Sequence, residues 1–94
     1  MVQLHIEHVV ADFKHWKEAF DGDPIDRRQM GVRRYRILRP TDNPAYAIID
    51  LEFDRQEQAE ALLAAIQRVW TRIDGSLIFD PQWRISEVVE EVNL

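Results

Sequence analysis

The chain of 94 residues carries 12 Lys and Arg against 17 Asp and Glu, a formal net charge of -5, with 46% hydrophobic residues, 31% charged residues and no cysteine. That length suits one domain spanning residues 1–94, and the surplus of acid argues against a general polyanion binder, so no nucleic acid is expected as a partner. Without cysteine there are no disulfides, thiolate nucleophiles or thiolate metal sites, and no apolar run approaches the ~20 residues of a membrane span, so neither membrane insertion nor secretion is expected and the cytoplasm is the default compartment.

Residues 2–10 alternate, with Val2, Leu4, Ile6 and Val10 on one face and Gln3, His5 and Glu7 on the other, which predicts a strand. Asp12 is a good helix cap, and Phe13, Trp16 and Phe20 fall on one stripe of the helix that follows. Asp21-Gly22 interrupts this helix. Asp23-Pro24 restarts it, as a cap with proline at the first helical position, and the broken helix ends before Gly31. Residues 32–39 read as a second strand, Pro40 to Pro44 as a turn, and Tyr46 to Phe53 as a third strand with Ala47, Ile49, Leu51 and Phe53 on its apolar face.

Asp54 is the expected cap of a long helix in which Ala59, Leu62, Leu63, Ile66, Val69 and Ile73 recur at three- and four-residue steps, with Gly75 as its stop. Residues 76–83 include Pro81, show no period and read as an irregular connection; residues 84–92 fit a strand best because four of them are β-branched.

The order is strand, helix, strand, strand, helix, strand, which predicts an α+β fold of the ferredoxin-like βαββαβ type, both helices on one face of an antiparallel sheet. Pairing Arg34 with Asp50 and Arg36 with Ile48 would put Tyr35 and Ile37 beneath the helices. The open face then shows Gln3, His5, Glu7, Arg34, Arg36, Leu38, Tyr46, Ile48, Asp50 and Glu52. It is too polar for a plain core, yet Leu38, Tyr46 and Ile48 are too apolar to leave in water, so a second copy of the chain is expected to cover it.

The strand and helix order, the length and the opening stretch His8-x-x-x-Asp12-Phe13-x-x-Trp16 resemble the dimeric α/β-barrel superfamily over nearly the whole chain. In that superfamily two ferredoxin-like subunits close a barrel around a pocket. Its members include antibiotic-biosynthesis-type monooxygenases, haem-degrading oxygenases and aromatic polyketide cyclases. The resemblance implies a homodimer with a pocket for a small aromatic or anionic molecule, and a cofactor-independent monooxygenase or cyclase activity. Haem-degrading members place an asparagine on the first strand, a tryptophan on the second long helix and a histidine on the iron. Here the first strand has Gln3 and His5, Trp70 comes late in its helix, and no histidine follows His15, so haem is not expected, and no cofactor at all.

The pocket is expected on the open sheet face, where His5 is the candidate proton acceptor of any chemistry, Arg34 or Arg36 the stabiliser of an enolate or phenolate oxygen, and Tyr46 the positioner, with Glu7, Ile48, Asp50 and Glu52 lining the ligand. The alternative is a non-catalytic dimeric binding or structural module in which these charges form an internal ion-pair network. A metal set of His8, Asp12 and His15, or of His5, Glu7 and Asp50, has no recognised spacing, and no metal is expected. Half of the basic residues, Arg27, Arg28, Arg33, Arg34, Arg36 and Arg39, fall close together and either steer an anion or solvate an edge strand. RNA-recognition domains share the topology but need aromatics where the third strand has Asp50 and Glu52. Phe13 and Trp16 read either as core or as the wall of an aromatic pocket.

Overall fold

A computed structural model describes residues 1–72 and 78–94. Strand β1 (Val2–Val10) leads to helix α1 (Phe13–Asp21), then strands β2 (Arg34–Leu38) and β3 (Tyr46–Phe53), helix α2 (Gln56–Arg72) and strand β4 (Ile78–Glu87). The sheet order is β2-β3-β1-β4 with every neighbouring pair antiparallel, the ferredoxin-like arrangement. Both central strands alternate as the sequence predicts. Leu4, Ile6, His8 and Val10 of β1 and Ala47, Ile49, Leu51 and Phe53 of β3 are buried beneath the helices, where Ala59 and Leu62 of α2 and Trp16 of α1 complete the core.

Helix α1 starts where expected: the Asp12 carboxylate accepts the Lys14 N–H at 3.1 Å. It does not restart after Gly22. Residues 23–31 form a series of turns in which Asp23 and Asp26 take left-handed backbone angles, φ 48° and 61°, that no α-helix accommodates. Asp23 still binds locally, its Oδ1 accepting the Arg27 N–H at 2.9 Å. Gly31 at φ 98° closes this segment beside the Gln58 side chain, and its left-handed backbone angle is what favours glycine there.

Four further expectations are corrected. Strand β2 is shorter than residues 32–39, and its register is offset by two, with Arg34 opposite Glu52, Arg36 opposite Asp50 and Leu38 opposite Ile48. An offset of two preserves the faces, so Tyr35 and Ile37 still turn towards the helices. Asp54 does not cap α2. It accepts two hydrogen bonds from Arg33 at 2.9 and 2.6 Å, and the start of α2 is instead tied by the Gln58 side chain accepting the Arg55 N–H.

Much of the stretch read as an irregular connection is strand β4, and the reason its period was hidden is a bulge. Glu7 pairs with Gln82 but Val9 with Phe79, so β4 carries one residue more than β1 between these pairs, and Asp80 within it has φ 51°. The extra residue reverses the alternation midway and gives Pro81 a place without a ladder N–H. The last strand stops at Glu87 rather than running to residue 92: the Val88 N–H still donates to the Met1 carbonyl, and the chain then crosses the open face to bring Glu91 to Arg34. Ile73, Gly75 and Ser76 lie outside the described residues.

Candidate functional site

Gln3, His5 and Glu7 of β1 face outward opposite Glu52, Asp50 and Ile48 of β3 and Ser86, Arg84 and Gln82 of β4. Hydrogen bonds link four of the predicted site residues into one chain. His5 Nδ1 lies 2.7 Å from Asp50, His5 Nε2 lies 2.7 Å from Glu7, and the Tyr46 hydroxyl donates to the other Glu7 oxygen at 2.8 Å. A ring whose two nitrogens both face carboxylate oxygens donates from both, which makes it an imidazolium. In the imidazolium form both nitrogens of His5 are committed to carboxylates, and neither is free to accept a proton from a ligand.

Partial burial works to lower the His5 pKa, but the hydrogen bonds and charges of Glu7 and Asp50 outweigh it and raise the pKa above the usual 6.5. The same contact, with help from the Tyr46 hydroxyl, lowers the Glu7 carboxyl, and Glu7 in turn raises the Tyr46 phenol. The stability His5 contributes is fully present below the unfolded pKa of about 6.5 and is lost as pH rises through its raised folded value. In an NMR titration the His5 ring should titrate above 6.5, and His5→Gln should abolish the corresponding alkaline loss of melting temperature. A midpoint below 6.5 would show that burial, not the carboxylates, governs the ring.

The other predicted residues are spread along the same face. Arg34 binds Glu52 and, at 3.2 Å, Glu91, while Arg36 has no hydrogen bond or ion pair among the described residues. Two concave regions flank the chain of hydrogen bonds: one of about 410 Å3 bordered by Arg34, Arg36 and Asp50, and one of about 360 Å3 bordered by His5, Glu7 and Arg84. Arg84 opens the stretch that the sequence reads as the last strand, but the open face expected from sequence drew on the first three strands alone, so its place opposite His5 is new. The arginine cluster separates into local contacts: Arg27 stacks 3.9 Å from the Phe20 ring, Arg33 binds Asp54, and Arg39 lies 4.8 Å over Phe13. His8 is buried whereas Asp12 and His15 are exposed, and among the described residues no group of three metal-ligating side chains is arranged to hold a metal ion.

The opposite face of the sheet holds an apolar cavity of about 110 Å3 between β1, β3 and the two helices. Trp16 and Phe20 of α1 and Leu62, Ile66 and Trp70 of α2 wall it, and Pro24 and Ile25 of the turn segment close one side. Their rings support one another: Trp16 lies 5.5 Å from Phe13 and 5.4 Å from Phe20, and Trp70 stacks 5.7 Å from Trp83 on β4. Arg27 also borders the cavity, but its guanidinium is engaged by the Phe20 carbonyl at 2.8 Å and by Asp23 at 3.4 Å. Trp16 thus serves as core and as cavity wall at once, joining the two readings the sequence left open.

His8 is the remaining polar side chain of the lining. It is 2% exposed, its ring meets Trp16 edge-on at 5.5 Å, and its Nδ1 has no hydrogen-bond partner among the described residues. Burial lowers its pKa, so the ring is neutral at pH 7. A signal for it was present in the sequence: at period two His8 follows Leu4 and Ile6 and precedes Val10, a polar residue in a core position.

No family model and no curated protein matches the sequence. Solved structures do. A candidate antibiotic biosynthesis monooxygenase from Deinococcus radiodurans is similar at a TM-score of 0.79 and 17% identity, over 100% of this chain and 98% of that one. SnoaB, a cofactor-independent oxygenase from Streptomyces nogalater, is similar at a TM-score of 0.77 and 13% identity, over 97% of this chain and 95% of that one. A dimeric ferredoxin-like protein from an uncultured marine organism is similar at a TM-score of 0.66 and 11% identity, with both chains covered fully, at 100%. The fold expected from the sequence, and its likeness to antibiotic-biosynthesis-type monooxygenases, are thereby found in structure. At such identities the likeness establishes the fold and leaves the chemistry to the residues of this chain.

Proposed function

We propose that the chain is a homodimer that binds a small aromatic molecule in the cavity between sheet and helices and acts on it as a cofactor-independent oxygenase. The observation that carries this reading is the cavity itself: an apolar space walled by Trp16, Phe20 and Trp70, closed at one side by the turn segment, and large enough for a ring. In such chemistry the substrate supplies the electrons, so the protein's tasks are to hold the ring and to keep water away. The kinship in fold with SnoaB supports the reaction class.

Purified protein should bind single-ring aromatics with quenching of tryptophan fluorescence, because two of its three tryptophans, Trp16 and Trp70, line the cavity. With a hydroquinone it should consume oxygen without added flavin, haem or metal. Binding without oxygen uptake would leave a binding module, and no fluorescence response at any concentration would remove the cavity from consideration.

The dimer is supported by the dimeric ferredoxin-like proteins of the same fold and by the composition of the open face, where Leu38 is 39% exposed beside Ile48. Ile48→Arg places a cation opposite Glu7, which a monomer tolerates and a covered interface does not. It should shift the sedimenting species from dimer to monomer without lowering the melting temperature of the monomer. An unchanged dimer would place the interface elsewhere.

A second reading keeps the ligand on the open face. It is favoured by the Arg36 guanidinium, without a partner among the described residues and beside the larger concave region, which suits an anion, with Tyr46 as positioner and Glu7, Ile48, Asp50 and Glu52 around it. His5 would then act as a proton donor.

A further inference from the structure

We propose that residues 88–94 form an arm that completes the homodimer: each copy lays the apolar side chains of its tail on the apolar end of the other copy's open face. This rests on the dimer covering that face. The face has two unlike ends. At one, Leu38 lies opposite Ile48, and Tyr46 and Phe79 flank Val9. At the other, Glu52 lies between Arg34 and Gln3, and Ser86 completes the row. The tail lies over this second, polar end, tied there by two polar contacts: the Val88 N–H donates to the Met1 carbonyl at 3.0 Å, and Glu91 accepts a hydrogen bond from Arg34 at 3.2 Å.

The side chains of the tail suit the end it does not touch. Val89 is 90% and Val92 62% exposed, and Leu94 is fully exposed, so none of them is buried against its own chain. At the apolar end Leu38 and Phe79 are likewise exposed. The two groups do not meet within one chain. Val92 to Leu94 extend at most about 10 Å beyond Glu91, whereas Leu38 lies four residues past Arg34 along β2, about 13 Å away, and Val89 is held between the two ties. A second copy stacked face to face with its strands running the opposite way brings each tail over the apolar end of its partner. The two-fold axis then lies between the sheets and across the strands, and the same contact is made twice. Stacking in the same sense would set the two tails on one another and wedge the sheets apart at that end; in the opposite sense one tail fills each end and the sheets stay level.

Because Val89 and Val92 are exposed, replacing both by aspartate leaves the fold of the single chain alone and tests the arm. Sedimentation equilibrium of the full-length unmodified chain and of the variant carrying Val89→Asp and Val92→Asp gives the dimer dissociation constant of each. The two substitutions should raise it about tenfold or more, with the melting temperature of the monomer unchanged. Leu38→Lys alone should also raise it, but added to the aspartate variant it should lower the constant again, because charges of opposite sign then meet across the interface. An unchanged or tighter dimer in the aspartate variant, or no recovery on adding Leu38→Lys, would overturn the arm and leave the dimer standing. A monomeric unmodified chain would overturn both.

Discussion

Trp16→Ala should cost about 3–5 kcal/mol of stability, the largest effect expected of any change proposed for this protein. Trp16 is 6% exposed, contacts the rings of His8, Phe13 and Phe20, and forms part of the cavity wall. Its removal takes away the transfer energy of an indole and merges the space it filled with a cavity already present, so the surroundings have little with which to collapse into the gap. At this chain length each kcal/mol corresponds to a fall of about 4–8 °C in melting temperature. Thermal unfolding followed by circular dichroism should therefore show a chain unfolded, or nearly so, at 37 °C, while Trp16→Phe should lie between the two. An unchanged melting curve for Trp16→Ala would mean that α1 is not docked through this residue.

His8→Leu should act in the opposite direction, raising stability by about 1–3 kcal/mol. Leucine carries no unpaired buried nitrogen, and the adjoining cavity gives its branched end room without overpacking. The pH dependence should change with it. Because burial depresses the His8 pKa, the unfolded chain binds a proton below about pH 6.5 that the folded chain does not, so the stability present above that value is lost as pH falls towards the depressed folded pKa. That acid-side slope should disappear in His8→Leu. A variant less stable than the unmodified chain would show that the imidazole is satisfied in the fold. His5 and His8, three residues apart on opposite faces of β1, thus bias stability against alkali and against acid respectively.

The parts of the fold legible in the sequence are those set by unbroken alternation or by a single cap. Strands β1 and β3 and the start of α1 fall within the residues expected, because Leu4 to Val10 and Ala47 to Phe53 each have one buried face and Asp12 one clear role. The gathering of His5, Glu7, Tyr46 and Asp50 was also legible, since period two alone places them on one face and an error of two in the register of a neighbouring strand leaves faces unchanged. What could not be read depends on tertiary context. Asp23-Pro24 and Asp54 have the chemistry of helix caps, but the first sits in a left-handed turn and the second is taken by an arginine from the opposing segment. Nor could period two distinguish a satisfied core histidine from one facing empty space, because the cavity beside His8 exists only where α1, α2 and the sheet fail to fill the volume between them.

The bulge at Asp80 and Pro81 bears on how copies of the chain can associate. An edge strand normally offers a continuous row of amide and carbonyl groups to which a stranger can add, and fibres grow in that way. On β4 the row is broken near its start by a residue that has no N–H and by a kink that turns the backbone out of line. At the other edge β2 is five residues long and begins with the charged, partnered Arg34. Both borders of the sheet thus resist extension, which favours closed assemblies made by stacking faces over open ones made by adding strands.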